Sequence, residues 1–131
     1  MLRFFLVAGA VLGGLGVAGG ALGAHALKSA LTPRFLELFE TAVRYQLFHA
    51  LALLIVGTLT YLDTRPARSR ILAGWFFFAG ILLFSGSLYA YIATGTRVFV
   101  HVTPFGGLSL ITGWILLAVH GARIITTNNR A

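Results

Sequence analysis

The chain has 131 residues, 58% of them hydrophobic and only 10% charged, with a net charge of +7 and a mean hydropathy of +0.90. About a quarter of a typical soluble domain is charged, so this composition excludes an ordinary water-soluble globule and fits a chain solvated by lipid. The basic residues sit at the ends of apolar runs rather than along one stripe, which matches retention of positive charge in the cytoplasm, and no nucleic-acid partner is expected.

A membrane-spanning helix takes about 20 mainly apolar residues. The first such run, residues 4–27, is free of charge until Lys28. Arg3 before it and Ala24-His25-Ala26 at its end outline a secretory signal with a cleavage site. The apolar stretch is longer than a signal core and dense in glycine, so we expect it to be retained as a helix. Gly9, Gly13, Gly16, Gly20 and Gly23 are spaced 4, 3, 4 and 3. That is a heptad seam along which a second helix can approach closely, with left-handed crossing. Gly14 and Gly19 lie off the seam, where another neighbour has room. Gly16→Leu is expected to disrupt the bundle by steric exclusion.

Thr32-Pro33 is a helix start, with Thr as N-cap and Pro in the first helical position. Nothing breaks the helical pattern from there to Leu62. A helix of that length runs about 45 Å, against about 30 Å of hydrocarbon. The second span is therefore assigned to residues 43–62. Residues 33–43 are read as an amphipathic segment that projects from the membrane or lies along its surface. Arg34, Glu37, Glu40 and Arg44 share one face, and Phe35, Leu36, Phe39 and Val43 lie mostly on the other. Glu40 and Arg44 are spaced as an i,i+4 pair at the point of membrane entry. An interfacial ion pair fixing the depth of the helix is favoured over a functional site.

Residues 63–70 (DTRPARSR), with Pro66 and four charges, form the clearest connection. The third span, residues 71–94, has no charged residue and repeats the small-residue pattern weakly at Ala79, Gly86, Ala90 and Ala93. Residues 94–104 read as the next connection. The fourth span is residues 105–125, where Gly106, Gly113 and His120 are seven apart and share a face. With four spans, Arg3, Arg65, Arg68, Arg70, Arg123 and Arg130 lie on one side and Lys28, Arg34, Arg44 and Arg97 on the other. This bias places both termini in the cytoplasm, with the protein in the inner (plasma) membrane. The expected fold is an all-α membrane protein: a four-helix transmembrane bundle, one integral domain, with an amphipathic segment before the second span.

Catalytic chemistry finds little support. The chain lacks cysteine, so thiolate metal sites and disulfides are absent. No Gly-x-Ser-x-Gly, phosphate loop or hydrolytic acid pair is present. With three acidic residues in all, a proton-coupled transporter would rest on Glu40. His25, His49 and His101 fall toward the outer side near Glu37 and Glu40, a set that invites a metal or haem. Yet there is no His-x-x-x-His or Glu-x-x-His spacing, and a lone histidine at a helix end usually bonds to a nearby carbonyl or hydroxyl. No cofactor, no metal and no enzymatic activity are expected. Trp75, Trp114, Tyr89 and Tyr91 are read as interface or packing aromatics.

Several strings occur in a telling order: Gly23-Ala24-His25-Ala26-Leu27, then Phe39-Glu40-Thr41-Ala42-Val43-Arg44-Tyr45-Gln46 followed by His49-Ala50-Leu51-Ala52, then Leu83-Phe84-Ser85-Gly86-Ser87-Leu88-Tyr89, and Thr103-Pro104-Phe105-Gly106-Gly107. Together they resemble the bacterial membrane family called domain of unknown function 423, whose eukaryotic relatives are called transmembrane protein 256. The resemblance covers nearly the whole chain; Phe105, where an aliphatic residue is expected, is a small departure. It implies a four-helix inner-membrane protein and brings no catalytic residue or cofactor. The strings enclose His25, Glu40, Arg44, Tyr45, Gln46, His49, Ser85, Ser87, Tyr89 and Thr103, which we expect to converge as a polar cluster in the outer half of the bundle. The expected role is a non-enzymatic one through helix–helix contacts in the bilayer, as a homo-oligomer or as a small subunit of a larger complex. The alternative is small-molecule, ion or haem binding or transport at the polar cluster.

Overall fold

The helix boundaries follow from the residues at their ends. The computed structural model describes residues 2–63, 65 and 67–128, apart from the side chains of Leu2 and of residues 124–128; Pro66 and Arg130 lie outside the described residues. Helix α1 runs Leu2–Leu22 and continues through a π-helical turn, Gly23–Leu27, and a last turn, Lys28–Ala30. Helix α2 is Pro33–Leu62: Thr32 is extended, its Oγ1 accepts from the Phe35 N–H at 3.4 Å, and Pro33 supplies the preset first residue. Helix α3, Arg68–Thr94, ends at Gly95, whose φ of +69° only glycine adopts freely and whose N–H reaches the Tyr91 carbonyl at 2.8 Å.

Helix α4, Val98–Asn128, begins earlier than the composition implies. The connection after α3 is Gly95 to Arg97 rather than residues 94–104. Tight bonds from Phe99 N–H to Thr96 O and from Val100 N–H to Arg97 O start the helix, and Pro104 lies inside it. Proline removes one donor but does not end a helix when its neighbours hold the chain in register. Here Gly106, two residues on, sits directly on the α3 backbone.

All four helices are long and apolar enough to cross a membrane, and among the described residues there is no strand. The first part of α2, residues 33–43, does not project alone. The tail of α1 and the end of α3 rise beside it: Phe39 lies against Gly23, while Phe35 meets Tyr91 and Phe39 meets Tyr89 with ring centroids 5.6 and 5.4 Å apart.

Packing runs in chain order, α1 on α2, α2 on α3 and α3 on α4. Phe5, Leu53, Val56, Ala73, Phe77, Ile81 and Leu110 form the buried centre. Lipid does not push apolar side chains together as water does, so close approach and interhelical hydrogen bonds hold such a bundle. The seam of α1 faces α2 along its length. A Cβ on Gly9 would lie 2.9 Å from the Ala50 carbonyl oxygen, one on Gly16 2.7 Å from Leu47, and one on Gly23 3.1 Å from the Phe39 ring; Gly13 and Gly20 meet Ala50 and Val43. Gly19 also meets α2, through Val43, whereas Gly14 faces open space. In α3 the close contacts fall at Gly74, under the Phe5 ring, and at Gly80, under Leu110, while Gly86 meets nothing within 4 Å. In α4 Gly106, Gly113 and His120 share one buried face. Gly113 lies under Phe77, and a Cβ on Gly106 would collide with the backbone of Leu83 and Phe84.

Candidate functional site

Polar side chains inside an apolar bundle must find partners, and here they find them across helix boundaries. Gln46 of α2 is 5% exposed. Its Nε2 donates to the Leu12 carbonyl of α1 at 2.7 Å, and its Oε1 accepts from the Tyr89 hydroxyl of α3 at 2.9 Å. One side chain thus ties three helices. Ser85 Oγ, also buried, donates to the Ala42 carbonyl at 2.7 Å, a second bond between α3 and α2. Ser87 of α3 and Thr103 of α4 are joined at 2.7 Å between hydroxyls, and each also lies within hydrogen-bond distance of a carbonyl of its own helix, Phe84 and Phe99.

His49 carries the most informative geometry. Its Nδ1 lies 2.7 Å from the Tyr45 carbonyl, which can only accept, so Nδ1 carries the proton. Its Nε2 lies 3.1 Å from Trp114 Nε1, which can only donate, so Nε2 is the acceptor. The ring is therefore a neutral imidazole with both nitrogens engaged. The Tyr45 ring stacks beside it and against Phe84, with centroids 6.0 and 4.5 Å away. To ligate a metal or haem iron, His49 would first have to give up Trp114. Among the described residues no three His, Cys, Asp or Glu side chains gather to hold a metal ion.

The ten candidate residues thus occupy several places rather than one. Gln46, Tyr89 and Ser85 join α2 to its neighbours; Ser87 and Thr103 join α3 to α4; His49 joins α2 to α4 through Trp114. His25 is exposed on the π-helical turn. Glu40 and Arg44 are both exposed and, among the described residues, form no ion pair with one another despite their spacing. They line a shallow groove of 260 Å³ between α1 and α2.

Two features escape a reading of the sequence. Trp114, read as an interface or packing aromatic, does pack on Phe77, but it is also the donor to His49. Arg70 looks like one more charge in the DTRPARSR loop, yet its side chain is 3% exposed. Its guanidinium reaches the Asp63 carboxylate at 3.2 Å, the Asp63 carbonyl at 2.8 Å and the Arg65 carbonyl at 3.2 Å, closing the end of α2. Among the described residues, Arg70 Nε and His120 Nε2 are both buried with no hydrogen-bond partner. Asp63 lies outside the spans. The Arg65 side chain and backbone N–H beside it, helped by the two guanidinium charges, hold its carboxyl below the usual carboxylate range. A serine and threonine census of the sequence picks out the hydroxyls without saying which group each one meets, and no pattern marks which arginine of a basic loop turns inward.

A family model described as "protein of unknown function (DUF423)" matches residues 19–107. The chain is 39% identical over 118 residues to a UPF0382 membrane protein of Staphylococcus aureus (strain bovine RF122 / ET3-1), covering 90% of this chain and 94% of that protein. It is 36% identical over 118 residues to a UPF0382 membrane protein of Staphylococcus haemolyticus, with the same coverage. It is also 36% identical over 124 residues to the UPF0382 membrane protein YwdK of Bacillus subtilis, covering 95% and 100% of the two chains. No solved structure matches.

Proposed function

We propose, from the premise that the chain belongs to the DUF423 family of membrane proteins, that it acts without catalysis, through contacts between its helices and those of other chains. The observation that carries this reading is the outward face of α1. Ala10, Gly14 and Ala18, spaced four apart, are all exposed, and a Cβ on Gly14 would meet nothing within 4 Å. Small residues at this spacing let a second membrane helix approach closely. Gln46, His49, Ser85, Ser87, Tyr89 and Thr103, by contrast, are engaged in bonds inside the chain.

Gentle detergent extraction followed by native mass spectrometry tests this. A homo-oligomer or a stable complex is expected, and Gly14→Leu reduces it to a monomer while leaving thermal stability unchanged. A wild-type monomer with no partner overturns the reading. Haem or ion binding at the outer polar residues has less support, because His49 is already bonded at both nitrogens. A Soret band in the purified protein would reverse that ranking.

The orientation we favour has both termini in the cytoplasm of a cell bounded by this inner membrane, on the basic bias of the Arg3, DTRPARSR and Arg123 side. The absence of cysteine makes the test direct. Lys28→Cys in intact cells reacts with a membrane-impermeant maleimide and Arg65→Cys does not; the opposite pattern inverts the topology.

A further inference from the structure

The spacing of Glu40 and Arg44 leads one to expect a neutralised pair, yet the two side chains make no ion pair, and Arg44 is left as an exposed cation on α2. It lies eleven residues, about 16 Å, below the Pro33 end of the helix, close to where about 30 Å of hydrocarbon would begin on a bundle of this length. A charge at that depth is rare and is normally met by a carboxylate, a carbonyl or water. Arg44 instead stands at the head of an apolar groove of 560 Å³ on the α4 side of α2, lined also by Tyr45, Phe48, Leu51, Ile55 and Trp114.

Two features of that groove restrict what it can hold. His49 is on its lining but has both ring nitrogens engaged, by Tyr45 O and Trp114 Nε1. The floor thus has no free histidine nitrogen to meet a polar ligand, and it suits a hydrocarbon chain. Arg44 borders both this groove and the smaller one on the α1 side; among the described residues Glu40 lines only the latter, and no carboxylate lines this groove. A zwitterionic headgroup would find a partner for its phosphate and none for its cation. An anionic headgroup matches the single positive charge.

We propose that Arg44 and this groove form a binding site for an anionic glycerophospholipid, with the headgroup phosphate on the Arg44 guanidinium and one acyl chain lying along Phe48, Leu51, Ile55 and Trp114. The site needs no second copy of the chain and stands apart from the assembly reading above.

Trp114 supplies the probe. In a Trp75→Phe background it is the one remaining tryptophan. The purified protein is reconstituted in phosphatidylcholine vesicles containing small mole fractions of phosphatidylglycerol or phosphatidylcholine with brominated acyl chains, which quench indole fluorescence on contact. The expected result is quenching by brominated phosphatidylglycerol with about five-fold preference over phosphatidylcholine, the size of one basic residue's attraction for an anionic headgroup. Arg44→Gln removes no internal bond, so it leaves the thermal stability unchanged and brings the preference to about one; Arg44→Lys retains most of it. Equal quenching of the wild-type protein by both lipids overturns the proposal, as does a preference that survives in Arg44→Gln. Absence of quenching by either lipid also overturns it, and points to a second copy of the chain over the groove if native mass spectrometry then shows a dimer.

Discussion

Trp114 donates its indole N–H to Nε2 of His49 at 3.1 Å, across the α2–α4 contact, and the other ring nitrogen of His49 bonds to the Tyr45 carbonyl. The residue that invites a reading as a metal or haem ligand is thereby a structural crosslink. The bond joins helices that otherwise meet mainly through α3. Hydrogen bonds of this kind between membrane helices contribute about 0.6 kcal/mol on average and up to about 1.7 kcal/mol.

Trp114→Phe keeps an aromatic ring against Phe77 and deletes the donor. Thermal unfolding in detergent should show a loss of about 1 kcal/mol. A double-mutant cycle with His49→Leu should return a coupling of similar size, since each change removes the same bond. Additive effects would mean that the two side chains do not interact.

The glycines separate by what their missing side chains would strike. A Cβ on Gly106 would collide with α3 backbone, which cannot rotate away, whereas one on Gly16 meets the flexible Leu47 side chain and one on Gly86 meets nothing. Gly106→Ala should therefore destabilise most, by about 2 kcal/mol or more, and Gly16→Ala less. Gly86→Ala should be neutral or stabilising by up to about 1 kcal/mol, through helix propensity alone. Melting temperatures of the three variants in one detergent check the order.

Gln46→Leu removes the tie among α1, α2 and α3 and leaves the Tyr89 hydroxyl without its acceptor. A loss of about 1–2 kcal/mol is expected. Tyr89→Phe on that background should then cost almost nothing, because the hydroxyl it deletes is already unpaired. A full additive loss in the double variant would place the Tyr89 bond elsewhere.

These features divide by how they are written in the sequence. Helix ends were legible wherever a side chain sets the backbone, as at Thr32-Pro33. The heptad of glycines was legible because close approach requires a repeating absence of side chain. The start of α4 was not, since Pro104 reads as a boundary and only the fit of Gly106 onto α3 shows why the helix continues. The polar residues announced themselves by type and only in part by partner: a bond between the Tyr89 hydroxyl and Gln46 is a natural expectation for two polar groups inside the bundle, and it is present. Gln46 bonds to a main-chain carbonyl of Leu12, and any residue has one of those. Glu40 and Arg44 had the spacing of a pair, but spacing permits contact without enforcing it when both side chains are exposed.

Asp63 gives the protein an acid limit. Its carboxyl is held below the usual range chiefly by the Arg65 side chain, so the group binds protons more weakly in the folded chain than in the unfolded one. Its contribution is complete above the unfolded value of about 4 and is lost as pH falls through the lower folded value. Melting temperature should be flat on this account between about pH 5 and 8 and fall below about pH 4. Asp63→Asn should be less stable than wild type at neutral pH and lose that acid limb, and its effect should exceed that of Arg65→Ala, because Arg70 is the buried partner.

The Asp63–Arg70 contact also bears on how the chain enters a bilayer. Its partners lie seven residues apart, within one tight connection, and the guanidinium is met there by a carboxylate and two carbonyls of the same connection. The hydrogen-bond partners of this buried guanidinium are therefore all local. These bonds need only α2, α3 and the connection between them, so they can form before α4 has been synthesised.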